Sequence, residues 1–196
     1  MSIRKLITEN EGVYFITFTC YKWMPLIEKT NSYDMVYKQF NYLQKSGHYI
    51  IGYVIMPNHL HVLIAFKNSG KTVNRIIGNM KRFMAYEIVK KLQQNNEKEI
   101  LDTLTAGVNA TDKSRGKLHE VFEPSFDCKE CRSNKFIYQK LNYMHNNPCT
   151  GKWNLANNAT AYKHSSAKFY VTGEQSIFEV KNFMELEDIN LTELGL

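Results

Sequence analysis

The sequence predicts an α+β fold on a split βαβ plan: a central antiparallel sheet with helices on one face, plus a C-terminal helix bearing a tyrosine. Three observations predict it. Hydrophobic periods of two and of 3.6 alternate in the order strand, helix, strand, strand, helix, strand, helix. Only Pro57-Asn58 separates the second and third strand segments, which makes them an antiparallel hairpin. The last strand segment contains Pro124, which belongs at a sheet edge. The ferredoxin-like arrangement accommodates the first six elements without crossed connections.

Each element follows from its residues. Val13 to Tyr21 alternates and is rich in aromatic and β-branched residues, so it reads as a strand that Pro25 ends. Asn31 to Ser46 places Met35, Val36, Phe40 and Leu43 at helical spacing, with Asn31 or Ser32 as N-cap and Gly47 as stop. Tyr49 to Met56 and His59 to Phe66 are the hairpin strands. Thr72 to Leu92 is a long amphipathic helix with Val73, Ile76, Ile77, Met80, Met84, Ile88 and Leu92 as its apolar stripe. Residues 93–118 are polar and read as an inserted loop with one helical turn around Ile100 to Leu104. Val121 to Phe126 is the edge strand. Ser133 to Asn147 is a helix capped by Ser133 or Asn134 and closed by Pro148. An irregular stretch follows Gly151, then a helix-like segment around Ile177 to Glu187.

The chain has 196 residues, with 25 Lys plus Arg and 19 Asp plus Glu, a net charge of +6. Its hydrophobic fraction of 43% excludes wholesale disorder. No apolar run approaches a membrane span, and the N-terminus lacks an apolar leader, so a cytoplasmic protein is expected. The charge is unevenly placed. Residues 174–196 carry six acids and one base, which leaves residues 1–173 with 24 bases and 13 acids. A body this basic points to an anionic partner, nucleic acid first. The division expected is a domain over 1–173 and an acidic tail over 174–196 that packs away from the partner or competes with it for the basic face. Cys128 and Cys131 have metal-like spacing but no second pair, and His119 and Cys149 stand alone, so structural zinc is not expected.

Two constellations carry chemistry. His59 and His61 are i and i+2 on a strand, so they project together while Leu60, Val62, Ile64 and Phe66 face the core. Two imidazoles on one face are either a divalent-metal site or two polar residues at a solvated strand start. Tyr143 and Asn147 are i and i+4 on a helix and share a face. A tyrosine hydroxyl, with a pKa of about 10, is a weak nucleophile until a metal polarises its electrophile. Spacing alone does not separate Tyr143 from the other eleven tyrosines, and Tyr138 on the same helix is a rival.

MPNHLHVLI at 56–64, followed by NYMHNNP at 142–148, resembles the single-tyrosine HUH transposases, most closely the REP-associated branch. Segments 14–27, 126–132 and 160–170 add to a resemblance covering about residues 13–172. It implies that Tyr143 is the nucleophile and that His59, His61 and Asn147 hold Mg²⁺ or Mn²⁺. The implied substrate is single-stranded DNA, with hairpins as landmarks of the cleaved sequences and a 5′-phosphotyrosine intermediate. Lys71, Arg75, Lys81, Arg82, Arg132, Lys135 and Lys140 become candidate DNA contacts, and Tyr21, Trp23 and Trp153 candidate stacking residues. The insertion-sequence branch implies a homodimer and the REP-associated branch a monomer, and both stay open. The alternative is a domesticated hairpin DNA- or RNA-binding protein that does not cut. The chain departs from the family at Val121-Phe122-Glu123, after Pro148, and in the 93–118 insert.

Overall fold

The computed structural model describes residues 7–151 and 153–192, leaving aside the side chain of Asp188. Residues 1–6, Lys152 and the end of the acidic tail (193–196) lie outside the described residues. Four strands form one antiparallel sheet: β1 Gly12–Thr19, β2 Tyr49–Ile55, β3 His59–Phe66 and β4 Asp127–Glu130. Their order is β2-β3-β1-β4, the arrangement expected of a split βαβ fold. The β1–β3 ladder pairs Thr17 with His61 and Thr19 with His59.

The strands are hydrophobic on both faces because both are covered. On one face Tyr14, Ile16 and Phe18 of β1 and Leu60, Val62, Ile64 and Phe66 of β3 meet two helices, α2 (Tyr33–Lys45) and α3 (Val73–Gln94). The stripes of both helices are buried as their spacing predicts. The side chain of Thr72 caps α3 by accepting from the Arg75 N–H. On the opposite face Phe15, Ile51, Val54, Leu63 and Ala65 meet Ile137, Leu141 and Met144 of α6 (Asn134–Asn146). The tyrosine-bearing helix therefore lies across the sheet from α2 and α3. Short helices α1 (Leu26–Lys29) and α7 (Ala167–Thr172) complete the layers.

Three expectations are corrected. The edge strand falls at 127–130 and not at 121–126. Phe122 makes a single bridge to Cys20, and Pro124, which has no N–H to donate, separates that bridge from β4. The 93–118 insert is largely helical, as α4 (Lys98–Ala106) and α5 (Ala110–Ser114), and Leu104 anchors it in the core. The segment after Gly173 is built into the body. Phe178 and Val180 join the core, Lys181 N–H donates to the Ile50 carbonyl, and Tyr53 accepts from the Phe178 N–H. Its helical part is a 3₁₀ turn at Phe183–Asp188, shorter than the segment predicted. Cys128 packs against the first core and Cys131 in the second, so their side chains occupy opposite faces of the sheet. No helix among the described residues is long and apolar enough to cross a membrane.

Candidate nucleophile and imidazole site

Strand alternation puts His59 and His61 on the α6 side of β3, at its first and third positions. Both are buried, contrary to a solvated strand start, because α6 covers that face. Their rings are 4.7 Å apart at the centroids. Each ring is fixed through Nδ1. Thr17 Oγ1 lies 2.6 Å from His61 Nδ1. Asn58 Oδ1 lies 2.6 Å from His59 Nδ1. The Asn58 amide nitrogen donates to the Trp23 carbonyl at 3.0 Å, which sets its oxygen toward the ring. His59 Nδ1–H must then donate, leaving the lone pair on Nε2.

Burial pushes the His59 pKa down to about 4. It pushes His61 down to about 3, with His59 and the Lys140 ammonium adding to the effect. Both rings are neutral at pH 7 and able to donate lone pairs.

Helix α6 brings the remaining groups. Its start is set by Ser133, whose side chain accepts from Phe136 N–H, and its end by Pro148. Tyr143 is 54% exposed, and its ring stands edge-on to His61 at 5.5 Å and to Phe15 at 6.1 Å. Asn147, one turn on, places its amide nitrogen 3.4 Å from His61 Nε2. A half-turn of that amide presents its oxygen instead. Lys140 Nζ lies 5.7 Å from the centre of the Tyr143 ring.

Two devices hold this register. Gly52 of β2 lets the helix approach: a Cβ there would stand 2.6 Å from both Leu141 Cδ2 and Met144 Cε. His145 Nε2 lies 2.9 Å from Ser166 Oγ, which also accepts from the Tyr53 N–H. Ser165 bridges to Val54, so the segment around it covers the β2 edge and pins α6 from behind.

Two neutral imidazoles and one carboxamide offer nitrogen and oxygen donors to a divalent ion; Mg²⁺ and Mn²⁺ favour the oxygen donor and keep waters in the remaining positions. Among the described residues no cluster of three His, Cys, Asp or Glu forms, so Asn147 is the third protein donor on offer.

The structure thus brings together His59, His61, Tyr143, Asn147 and Lys140. Tyr138 is exposed and makes no ring contact with either histidine. Lys71 and Arg75 follow the far end of β3, about 25 Å of strand from His59. Lys81 Nζ donates to the Glu123 carbonyl. Arg82 is exposed and stacks over Phe83. Arg132 pairs with Glu130, and Lys135 is exposed in the first turn of α6. Sequence reasoning missed Thr17, Asn58, Gly52 and the His145–Ser166 tie. The only signal was strand alternation, which puts Phe15, Thr17 and Thr19 on one face without naming their partners. Trp23 stands 6.0 Å from the His59 ring, in a turn whose Lys22 and Trp23 have positive φ. Glu123 Oε1 accepts the Lys22 N–H at 2.8 Å and braces that turn.

A family profile described as IS200-like transposase matches residues 13–104. Among solved structures, the chain is similar to a REP-associated tyrosine transposase bound to a REP hairpin, at 14% identity over 100% of this chain and 99% of that one, TM-score 0.57. It also matches a provisionally assigned transposase of Deinococcus radiodurans R1, at 11% identity over 74% of this chain and 97% of that one, TM-score 0.42. No curated protein matches the sequence.

Proposed function

We propose that this chain, whose residues 13–104 match the IS200-like transposase profile, cuts and rejoins single-stranded DNA at hairpin-bearing sequences through Tyr143. The observation that carries this is the meeting of Tyr143 with His61, at 5.5 Å between ring centres, beside His59 and Asn147 in one chain. The hairpin rests on the solved transposase of the same fold, which is bound to one.

Tyr143 is half-exposed on a buried wall, so its hydroxyl can meet a phosphodiester that approaches from solvent. Its oxygen forms a bond to phosphorus as the bond to the 3′ oxygen breaks. The phenol proton passes to solvent, and the 3′ oxygen takes up a proton and leaves as a hydroxyl. Attack by a 3′-hydroxyl on the tyrosyl phosphodiester reverses these bonds and rejoins a strand, so no energy source is consumed. Lys140, over the tyrosine ring, attracts the approaching phosphate. His59 and His61 through Nε2 and Asn147 through its amide oxygen would hold Mg²⁺ or Mn²⁺, which when bound supplies Lewis-acid polarisation of the phosphate. Thr17 and Asn58 keep both imidazoles turned to the site. A second copy of the chain is not required to complete this arrangement.

The test is incubation with labelled single-stranded hairpin oligonucleotides and Mn²⁺. A denaturant-resistant protein–DNA adduct is expected, absent in Tyr143→Phe and kept in Tyr138→Phe. An adduct that survives Tyr143→Phe refutes the nucleophile. Binding without adduct across hairpin substrates favours the domesticated, non-cutting alternative.

A further inference from the structure

A groove of about 940 Å³ runs between α3 and segment 115–126. Its α3 wall is Asn74, Gly78, Lys81 with Arg82, Ala85 with Tyr86, Val89 with Lys90, and Gln93. These positions recur every three or four residues, so they form one continuous stripe about 28 Å long beside the buried one. The opposite wall includes Arg115, Lys117, Leu118 and Phe126, and it exists because the 93–118 insert folds back along α3.

Its chemistry is that of a site for unpaired nucleic acid. The lining holds five Lys and Arg against two acids. Both acids are engaged internally, Glu120 with Lys117 at 2.6 Å and Glu123 with the Lys22 N–H. Arg82, Lys90 and Arg115 are exposed and have no ion-pair partner among the described residues. Between the cations stand Tyr86, 64% exposed, and Leu118, 70% exposed. Cations alternating with open aromatic surface bind backbone phosphates and stacked bases together, which a paired duplex cannot offer.

Gly78 is an independent sign. It sits inside a 22-residue helix, where glycine is less favourable than alanine, yet a Cβ there would meet no atom within 4 Å. Nothing among the described residues accounts for that glycine, while close approach of a bound strand does. The groove also leads to the site. It shares Glu123, Ser125 and Phe126 with a second cavity that reaches Thr17, Thr19 and Trp23, beside the two histidines.

We infer that this groove carries a single-stranded DNA segment flanking the cleaved phosphodiester, held by Arg82, Lys90 and Arg115 and stacked on Tyr86. The inference rests on the strand-transfer reading of the Tyr143 site, but it is tested apart from it.

The test uses the full chain and a labelled 30-nucleotide thymidine strand, which forms no hairpin. The triple variant Arg82→Gln, Lys90→Gln, Arg115→Gln is expected to bind at least about tenfold more weakly at 0.1 M salt. Its salt slope should fall by about 2, near 0.7 for each lost phosphate contact. A control that removes three cations elsewhere, Lys38→Gln, Lys45→Gln, Lys163→Gln, should keep most of both. Gly78→Leu, which carries no charge change, should melt no lower than wild type and still bind several-fold more weakly. Unchanged affinity and slope in the groove triple, or equal losses in the control, overturn the inference. So does a change of oligomeric state with intact DNA binding, which would assign the groove to a protein partner. Failure of the Tyr143→Phe adduct test with groove-dependent binding retained would sink the catalytic reading and leave the groove standing.

Discussion

Thr17 Oγ1 stands 2.6 Å from His61 Nδ1, across a ladder that pairs the two residues directly. The hydroxyl sets the ring orientation, with Nε2 turned to Asn147. Outer groups of this kind typically tune metal affinity 10- to 100-fold. Thr17→Val keeps the shape and removes the hydroxyl, so Mn²⁺ affinity should fall by about tenfold or more with little change in melting temperature. Titration calorimetry with Mn²⁺ checks this, and affinity equal to wild type would show that Thr17 does not orient the ligand.

Gly52 governs how close α6 sits. Gly52→Val adds three carbons where a Cβ alone already meets Leu141 and Met144 at 2.6 Å. Overpacking of this kind costs about 1–3 kcal/mol. Because α6 must move, adduct formation should drop further than the stability loss explains. Urea unfolding and adduct yield, measured on the same sample below the unfolding midpoint, separate the two. A destabilised variant with wild-type yield would show that the site tolerates a displaced helix.

The segment after Gly173 should be needed for folding. Phe178 is buried and packs against Tyr37, Phe40 and Tyr53. Phe178→Ala is expected to cost about 3–5 kcal/mol. For a chain of this length that lowers the melting temperature by roughly 10 °C. Removal of residues 174–196 takes Val180 as well and should leave the protein unfolded or aggregated. A truncated chain that melts like wild type would restore the view of a separable tail.

Acid should destabilise the fold well before its carboxylates titrate. Burial holds His48, His59, His145 and His164 down to about 4 and His61 to about 3. Unfolded histidine titrates near 6.5. Between those values the unfolded chain binds more protons than the folded one, so stability rises with pH. The stabilisation is fully present above about pH 6.5 and is lost as pH falls toward 4, by up to about 1.4 kcal/mol per pH unit for each histidine. The urea midpoint should therefore drop between pH 7 and pH 5 with an unchanged slope. An equal midpoint at both would mean that these rings open to solvent.

Local pattern carried much of this molecule. Alternation, helical stripes and the Pro57-Asn58 turn are short-range properties, so β1 to β3, α2 and α3 were legible with their boundaries nearly correct. The side of β3 that bears His59 and His61 was legible too, since i and i+2 share a face in any strand. The pairing of Tyr143 with Asn147 on one helix face was legible for the same reason.

What the tertiary structure alone decided depends on contacts between residues far apart in sequence. Spacing could not tell that α6 packs on the histidine side of the sheet, because its apolar residues fit either face. The surface left exposed by α2 and α3, and the room at Gly52, made that choice. Nor did the acidic composition of 174–192 disclose Phe178 and Val180 as core residues, since net charge averages over a face that is buried and one that is not. The polar insert hid Leu104 in the same way. The sequence by itself thus determined the strands, the helices and the chemically capable residues. Packing on the second face of the sheet decided that His61 and Tyr143 meet.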